Sequence, residues 1–192
     1  MNRFAALLSA AAILAAPAAQ AEDLYASFQS LCVGTHGQAA PSLAVAASAG
    51  WMPMPDSLVQ QFAGGSEFKD VQGRIRSSSS SMEIMLIARM EGKIRQLPVR
   101  LQICAVASMP PDAAVSAKLT DWVAVPSSDE LSEGARTGYV FTDEAGQHHA
   151  ISSDRAEALK LIRGGRLVVA AIQQDKQMSM AMYAIPSISE SP

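Results

Sequence analysis

Ten of the 192 residues are methionine, and their spacing is the first feature that suggests chemistry. Met178-Ser179-Met180-Ala181-Met182 sets a thioether at every second position, which on a β-strand turns three of them to one face. Met52 and Met54 repeat that spacing beside Trp51, and His36 stands upstream of them. Thioether and imidazole are soft or borderline ligands that select Cu(I), so Met178, Met180, Met182 and His36 form a candidate metal set. The same pattern also describes a buried strand face filled with methionine, which adapts to irregular packing. Copper is the only cofactor these residues suggest, and the plainer expectation is no cofactor at all.

Nucleophilic chemistry finds less support. The three histidines are His36, His148 and His149. Adjacent residues on a strand face opposite ways, so His148 and His149 cannot both join one site. The Gly-x-Ser-x-Gly elbow of serine hydrolases is absent, as are a phosphate-cradling loop and a dinucleotide fingerprint. Asp154 follows His149 closely enough to orient it, but capping a helix explains Asp154 more simply. Asp129, Glu130, Glu133, Asp143 and Glu144 fall in polar loops or turns, with no spacing that places two on one buried face. A catalytic set is therefore not expected; a hydrolase using His148 or His149 stands as an alternative.

The compartment is more legible. Met1-Asn2-Arg3 precedes an uncharged run from Phe4 to Ala16, Pro17 breaks it, and Ala19-Gln20-Ala21 offers small residues where a signal peptidase reads. Residues 1–21 are read as a signal peptide and 22–192 as one domain, periplasmic or secreted. The apolar run falls short of the roughly 20 residues a transmembrane helix needs, and no later stretch replaces it. A net charge of -3 argues against nucleic acid as a partner. In an oxidising compartment the two cysteines, Cys32 and Cys104, are expected to form a disulfide.

These residues need elements to position them. Leu24, Tyr25, Phe28, Leu31 and Cys32 share one helical face behind Asp23 as cap. An Ala-rich helix follows Pro41-Ser42, then a proline-restricted segment, Trp51 to Pro55, then a short helix carrying Leu58, Val59 and Phe62. Met82 to Met90 alternates as a strand, Glu91-Gly92-Lys93 reads as a turn, and Ile94 to Val106 returns. A helix after Asp112, a hairpin around Asp143 to Gly146, and a helix from Asp154 with Ala156, Leu159 and Ile162 inward come next. A last hairpin pairs Leu167–Gln173 with Met178–Ile185. The fold expected is α+β, a mainly antiparallel sheet of about three hairpins with helices on one face. Cys104 then falls opposite Leu97, Val99, Leu101 and Ile103. Either a bulge near Pro98 shifts the register, or both faces of the sheet are covered.

Phe28, Cys32 and the Ala-rich stretch into Gly50-Trp51 carry a resemblance, as do Tyr139 to Gly146 and Gly165-Arg166-Leu167 onward to Pro186. On these residues the chain resembles small secreted proteins of unknown function from Gram-negative bacteria. That resemblance implies a periplasmic protein and brings no activity with it. Met-x-Met with His and Trp is similar in residue types to small periplasmic copper-handling proteins. The function expected is a non-enzymatic domain that binds a small molecule or a protein, with Trp51, Met52 and Met54 as the candidate binding edge. Soft-metal binding and hydrolysis are the alternatives.

Overall fold

Asp23 accepts the Tyr25 N–H at 3.0 Å and so starts the first helix of the computed structural model, which describes residues 23–63 and 68–189. The signal peptide read over residues 1–21 lies outside the described residues. Helix α1 (Leu24–Phe28) widens without a break into a π-helical turn, Gln29–Val33. There Gly34 N–H reaches Gln29 O and Gly37 N–H reaches Cys32 O, both at 2.8 Å. Thr35 locks the exit: its hydroxyl donates to Leu31 O at 2.7 Å and lies 2.7 Å from the buried Ser42 hydroxyl. Helix α2 (Ala39–Ser48) follows, then strand β1 (Met52–Pro53), helix α3 (Asp56–Ala63) and strand β2 (Lys69–Ser77).

Strands β3 (Met82–Ile94) and β4 (Leu97–Met109) form the longest hairpin. The turn expected at Glu91-Gly92-Lys93 is instead strand, paired with Arg100, Val99 and Pro98. The chain reverses at Arg95-Gln96, both left-handed with φ of 51° and 63°. Such a two-residue turn matches the twist of its flanking strands. Helix α4 (Val115–Val123), strands β5 (Arg136–Glu144) and β6 (Gln147–Ala150), helix α5 (Arg155–Arg163) and strands β7 (Leu167–Gln174) and β8 (Ser179–Ile188) complete the described fold.

The class is α+β, and all pairings are antiparallel within one eight-stranded sheet of order β1-β2-β3-β4-β8-β7-β5-β6. The expected three hairpins account for β3 to β8 only, and β1 and β2 extend the sheet beyond them. Helices were expected on one face, but both are covered. Leu24, Phe28, Leu31 and Cys32 pack with Leu119 and Val123 of α4 over Met85, Ile87, Cys104, Val106, Phe141 and Tyr183. On the other face Ala158, Leu161 and Ile162 of α5 and the partly buried Leu58, Val59 and Phe62 of α3 meet Ile84, Leu86, Val99, Leu101 and Ile103. Of the residues expected inward on α5, Ile162 is buried and Leu159 packs partly buried against this core, while Ala156 is exposed and Ala158 and Leu161 complete the inward side. Double coverage also places Cys104: β4 holds one continuous register with β3, with no bulge at Pro98, and its two faces each enter a core. The Cys32–Cys104 bond ties the π-helical turn to the central strand. Among the described residues no helix is long and apolar enough to cross a membrane.

Candidate functional site: a polar cavity at one end of the sheet

The first face of the sheet is apolar until its last row, where the sequence changes character. Arg76 pairs in register with Glu83, Glu83 with Ser108, and Ser108 with Ser179, across β2, β3, β4 and β8. Alternation aims these side chains to the same side as Met85, Ile87, Cys104 and Val106. Above the row lies a cavity of about 500 Å³, bounded by Asp23 and Leu24, by Ser80 and Ser81 of the β2–β3 turn, by Pro110–Asp112, and by Lys118 of α4.

Glu83 is only 5% exposed and Ser108 6%. Burying a carboxylate is costly unless it is paired, and Arg76 supplies the pair through Nη2. That guanidinium also donates to Ser27 Oγ at 3.2 Å and stacks 4.6 Å from the Trp51 ring. It therefore stands between the Glu83 cavity and a second one of about 300 Å³ beside Trp51, Ser27, Ser30 and Ala49. At the rim Lys118 pairs with Asp23. Asp112 accepts the Ala114 N–H at 2.9 Å through one oxygen, and its carbonyl accepts from Ser179 Oγ at 3.2 Å.

Ser108 differs from its register neighbour. Its hydroxyl is shielded from solvent and has no hydrogen-bond partner among the described residues. A buried hydroxyl left in that state costs free energy, and such groups in native structures are ordinarily completed by an ordered water, an ion or a bound group. The lining carries three carboxylates: Lys118 pairs with Asp23 and Arg76 with Glu83, which leaves Asp112 as the one without an ion pair among the described residues. That single uncompensated carboxylate gives the cavity a modest negative bias toward hydrogen-bond donors.

The residues singled out from the sequence are dispersed. Trp51 is buried in the core of the first face and Met54 in that of the second, with Met52 at 57% exposure between them. Met54 lies so close over β2 that a Cβ on Gly73 would come within 2.4 Å of its methyl carbon. His36 is exposed in the turn after the π-helical segment, next to Gly37, whose Cα side faces the Tyr183 ring of the first face. Met180 and Met182 project from the second face, so the sheet separates His36 from them. Met178 precedes β8 in the turn built on Asp175, whose carboxylate accepts the Gln177 and Met178 N–H groups. These two hydrogen bonds hold the Asp175 carboxyl below its usual pKa.

His148 has a side chain 3% exposed, set among Trp122 and Phe141. Its Nδ1 lies 3.0 Å from Trp122 O and 3.2 Å from Val123 O, so it donates to carbonyls at the C-terminus of α4. His149 is exposed. Neither is joined to a serine by any hydrogen bond described for this structure.

Sequence reasoning missed Glu83 and Ser108. A signal existed: Glu83 is an acid sharing its strand face with Met85 and Ile87, and Ser108 follows Cys104 and Val106 in the same way. Comparison of the chain with protein families, with curated proteins and with solved structures finds no match to any of them.

Proposed function

We propose that this chain is an exported, disulfide-stabilised binding domain that takes a small polar ligand carrying a protonated amine into the cavity above Glu83 and Ser108. The observation that carries the reading is the buried Glu83–Ser108 pair, with a hydroxyl that has no partner among the described residues, at the floor of a cavity that keeps one uncompensated carboxylate, Asp112. Pockets of several hundred Å³ with a few placed polar groups suit small molecules. The leader-like N-terminus, the disulfide and the resemblance to small secreted Gram-negative proteins support export. The chemistry proposed is recognition: the Glu83 carboxylate oxygen that is not held by Arg76 accepts from the ammonium, and the Ser108 hydroxyl, shielded in this conformation, turns about its Cα–Cβ bond to supply a second contact.

Calorimetric titration with ethanolamine, putrescine and glucosamine, against glucose and acetate as neutral and anionic controls, tests it. Binding of at least one amine, weakened tenfold or more by Glu83→Gln and by Ser108→Ala, is the expected result. Amine binding unchanged in both variants, or no preference for amines over the controls, overturns it.

A further inference from the structure

The end of the first face remote from Glu83 departs from the regular pattern of the sheet. Alternation along β2 puts Gln72, Arg74 and Arg76 on the first face, where Arg74 pairs with Met85 and Arg76 with Glu83. Continued unbroken, it would send Lys69 to the opposite face. The ladder instead carries a β-bulge: Lys69 pairs with Arg89 and Gln72 with Ile87, so Asp70 and Val71 share the single position opposite Ala88. Asp70 absorbs the extra residue in the left-handed region, at a φ of 53°, which only glycine, asparagine and aspartate visit readily. The outcome is a lysine directly opposite an arginine, a like-charge pair that weakens a sheet. Bulges that re-aim a side chain in this way are frequent next to functional sites.

A third cation joins these two. Arg100 of β4 is the register partner of Glu91 and the diagonal neighbour of Arg89, which pairs with Gln102. Lys69, Arg89, Glu91 and Arg100, with Met90, line a cavity of about 250 Å³. Arg89 lies six positions along β3 from Glu83, roughly 20 Å at the rise of a strand, so this cavity is separate from the one above Glu83. Charge is only partly balanced in it. Arg89 pairs with Asp70 through Nη2, and Arg100 with Glu91 through Nε at 3.1 Å, while Lys69 has no ion pair among the described residues. The second Glu91 oxygen accepts from Ser189 Oγ at 2.9 Å. A guanidinium carries five N–H donors, so both arginines keep donors beyond those their carboxylates take.

We infer that Lys69, Arg89 and Arg100 form a site for the phosphoryl group of a small phosphate monoester. A tetrahedral dianion presents oxygens in several directions and accepts from cations reaching in from three strands, whereas a carboxylate offers two oxygens in one plane. Arginine matches phosphate with parallel N–H groups, and lysine meets it as a point charge. Lys69 and Arg100 stand two strand spacings apart, roughly 10 Å. The cavity they share with Arg89 spans that gap, and both side chains are long enough to lean into it.

The test is titration of the disulfide-intact protein with inorganic phosphate and with glycerol 3-phosphate, followed by arginine Nε–H and backbone amide signals. Acetate at matched ionic strength and phosphatidylglycerol vesicles are run beside them. Saturable shifts at Lys69–Val71, Arg89 and Arg100 are expected with both phosphates and not with acetate. Lys69→Ala and Arg100→Gln each weaken binding at least fivefold. Asp70→Asn frees the Arg89 guanidinium while keeping a residue that tolerates the left-handed backbone, and it tightens binding at least twofold. Lys160→Ala, at an exposed position of α5 over the other face, leaves binding unchanged. Absence of saturable shifts, an equal response to acetate, or a response to the vesicles alone overturns the inference. So does an affinity unaltered by Lys69→Ala and Arg100→Gln, or weakened by Asp70→Asn. The spectra of the unaltered protein decide the first three outcomes even where a variant fails to fold.

Discussion

Ser108 and Ser179 face each other across β4 and β8, yet replacing them with alanine should shift stability in opposite directions. Ser179 Oγ donates to Asp112 O at 3.2 Å, while Ser108 Oγ has no partner among the described residues. An ordinary hydrogen bond contributes roughly 0.5–1.5 kcal/mol net, and a buried polar group left unsatisfied costs roughly 1–3 kcal/mol. Ser108→Ala removes that cost along with one oxygen and no methylene, so the variant gains about 1 kcal/mol. Ser179→Ala removes a bond while Gln174 Nε2 still donates to the Asp112 carbonyl at 3.3 Å, so this variant loses roughly 0.5–1 kcal/mol. For a domain of this size each kcal/mol moves Tm by roughly 2–4 °C. Urea unfolding monitored by circular dichroism, with unchanged m-values, separates the two. A Ser108→Ala variant less stable than the parent by 1 kcal/mol or more would refute the reasoning, because it would mean the hydroxyl is satisfied in the unliganded protein. The gain in stability should coincide with loss of amine binding, as for groups kept for function at a cost to the fold.

Three further outcomes follow from packing and titration. Reduction, or a paired Cys32→Ala/Cys104→Ala change, releases a loop with a sequence separation of 72. It should lower stability by about 4 kcal/mol on the chain-entropy model, read as a fall in denaturant midpoint; an unchanged midpoint counts against a structural role for the bond. Burial, reinforced by the Asp143 carboxylate, pushes the Tyr183 phenol up to about 12. The folded state therefore holds that proton more tightly than the unfolded chain does, and the associated stability, complete below pH 10, is lost as pH rises through 12. Tyrosinate absorbance should show a late step that disappears in Tyr183→Phe; a step near 10 instead would contradict the burial. Gly73→Ala places a Cβ 2.8 Å from the Met85 carbonyl oxygen, a backbone atom that cannot swing aside. It should cost roughly 1–3 kcal/mol by thermal unfolding, whereas a variant as stable as the parent would show that β2 shifts freely.

The elements most legible in the sequence are those marked by long apolar strand-forming runs or by capping residues. Met82 to Met90 reads as a strand because β3 is buried on both faces from Glu83 to Ala88, and Asp23 and Asp154 cap helices through the N–H bonds their type suggests. Strand β2 escaped notice because it lies near the sheet edge. Lys69, Asp70, Gln72 and Arg74 intersperse its two apolar positions, Val71 and Ile75, and neither face is fully buried. Glu91-Gly92-Lys93 imitates a turn by composition, while the real turn uses Arg95 and Gln96, neither of which announces a left-handed backbone. The polar cavity was hidden for another reason. Its floor joins Glu83 of β3 and Ser108 of β4, which only the register brings together.

Strand β8, the last described element, occupies an inner position of the sheet, between β4 and β7. Its register joins Val99 to Ile188 and Val169 to Ala184, so it alone links β1 through β4 with the β7-β5-β6 half. Until those residues are available, the chain consists of two open sheets, each with a bare edge. Contacts this distant in sequence slow folding, because loop closure precedes the reward for pairing. The native sheet therefore cannot close before Ser179–Ile188 is in place. Truncation within Ser179–Ile188 would not shorten the sheet but divide it.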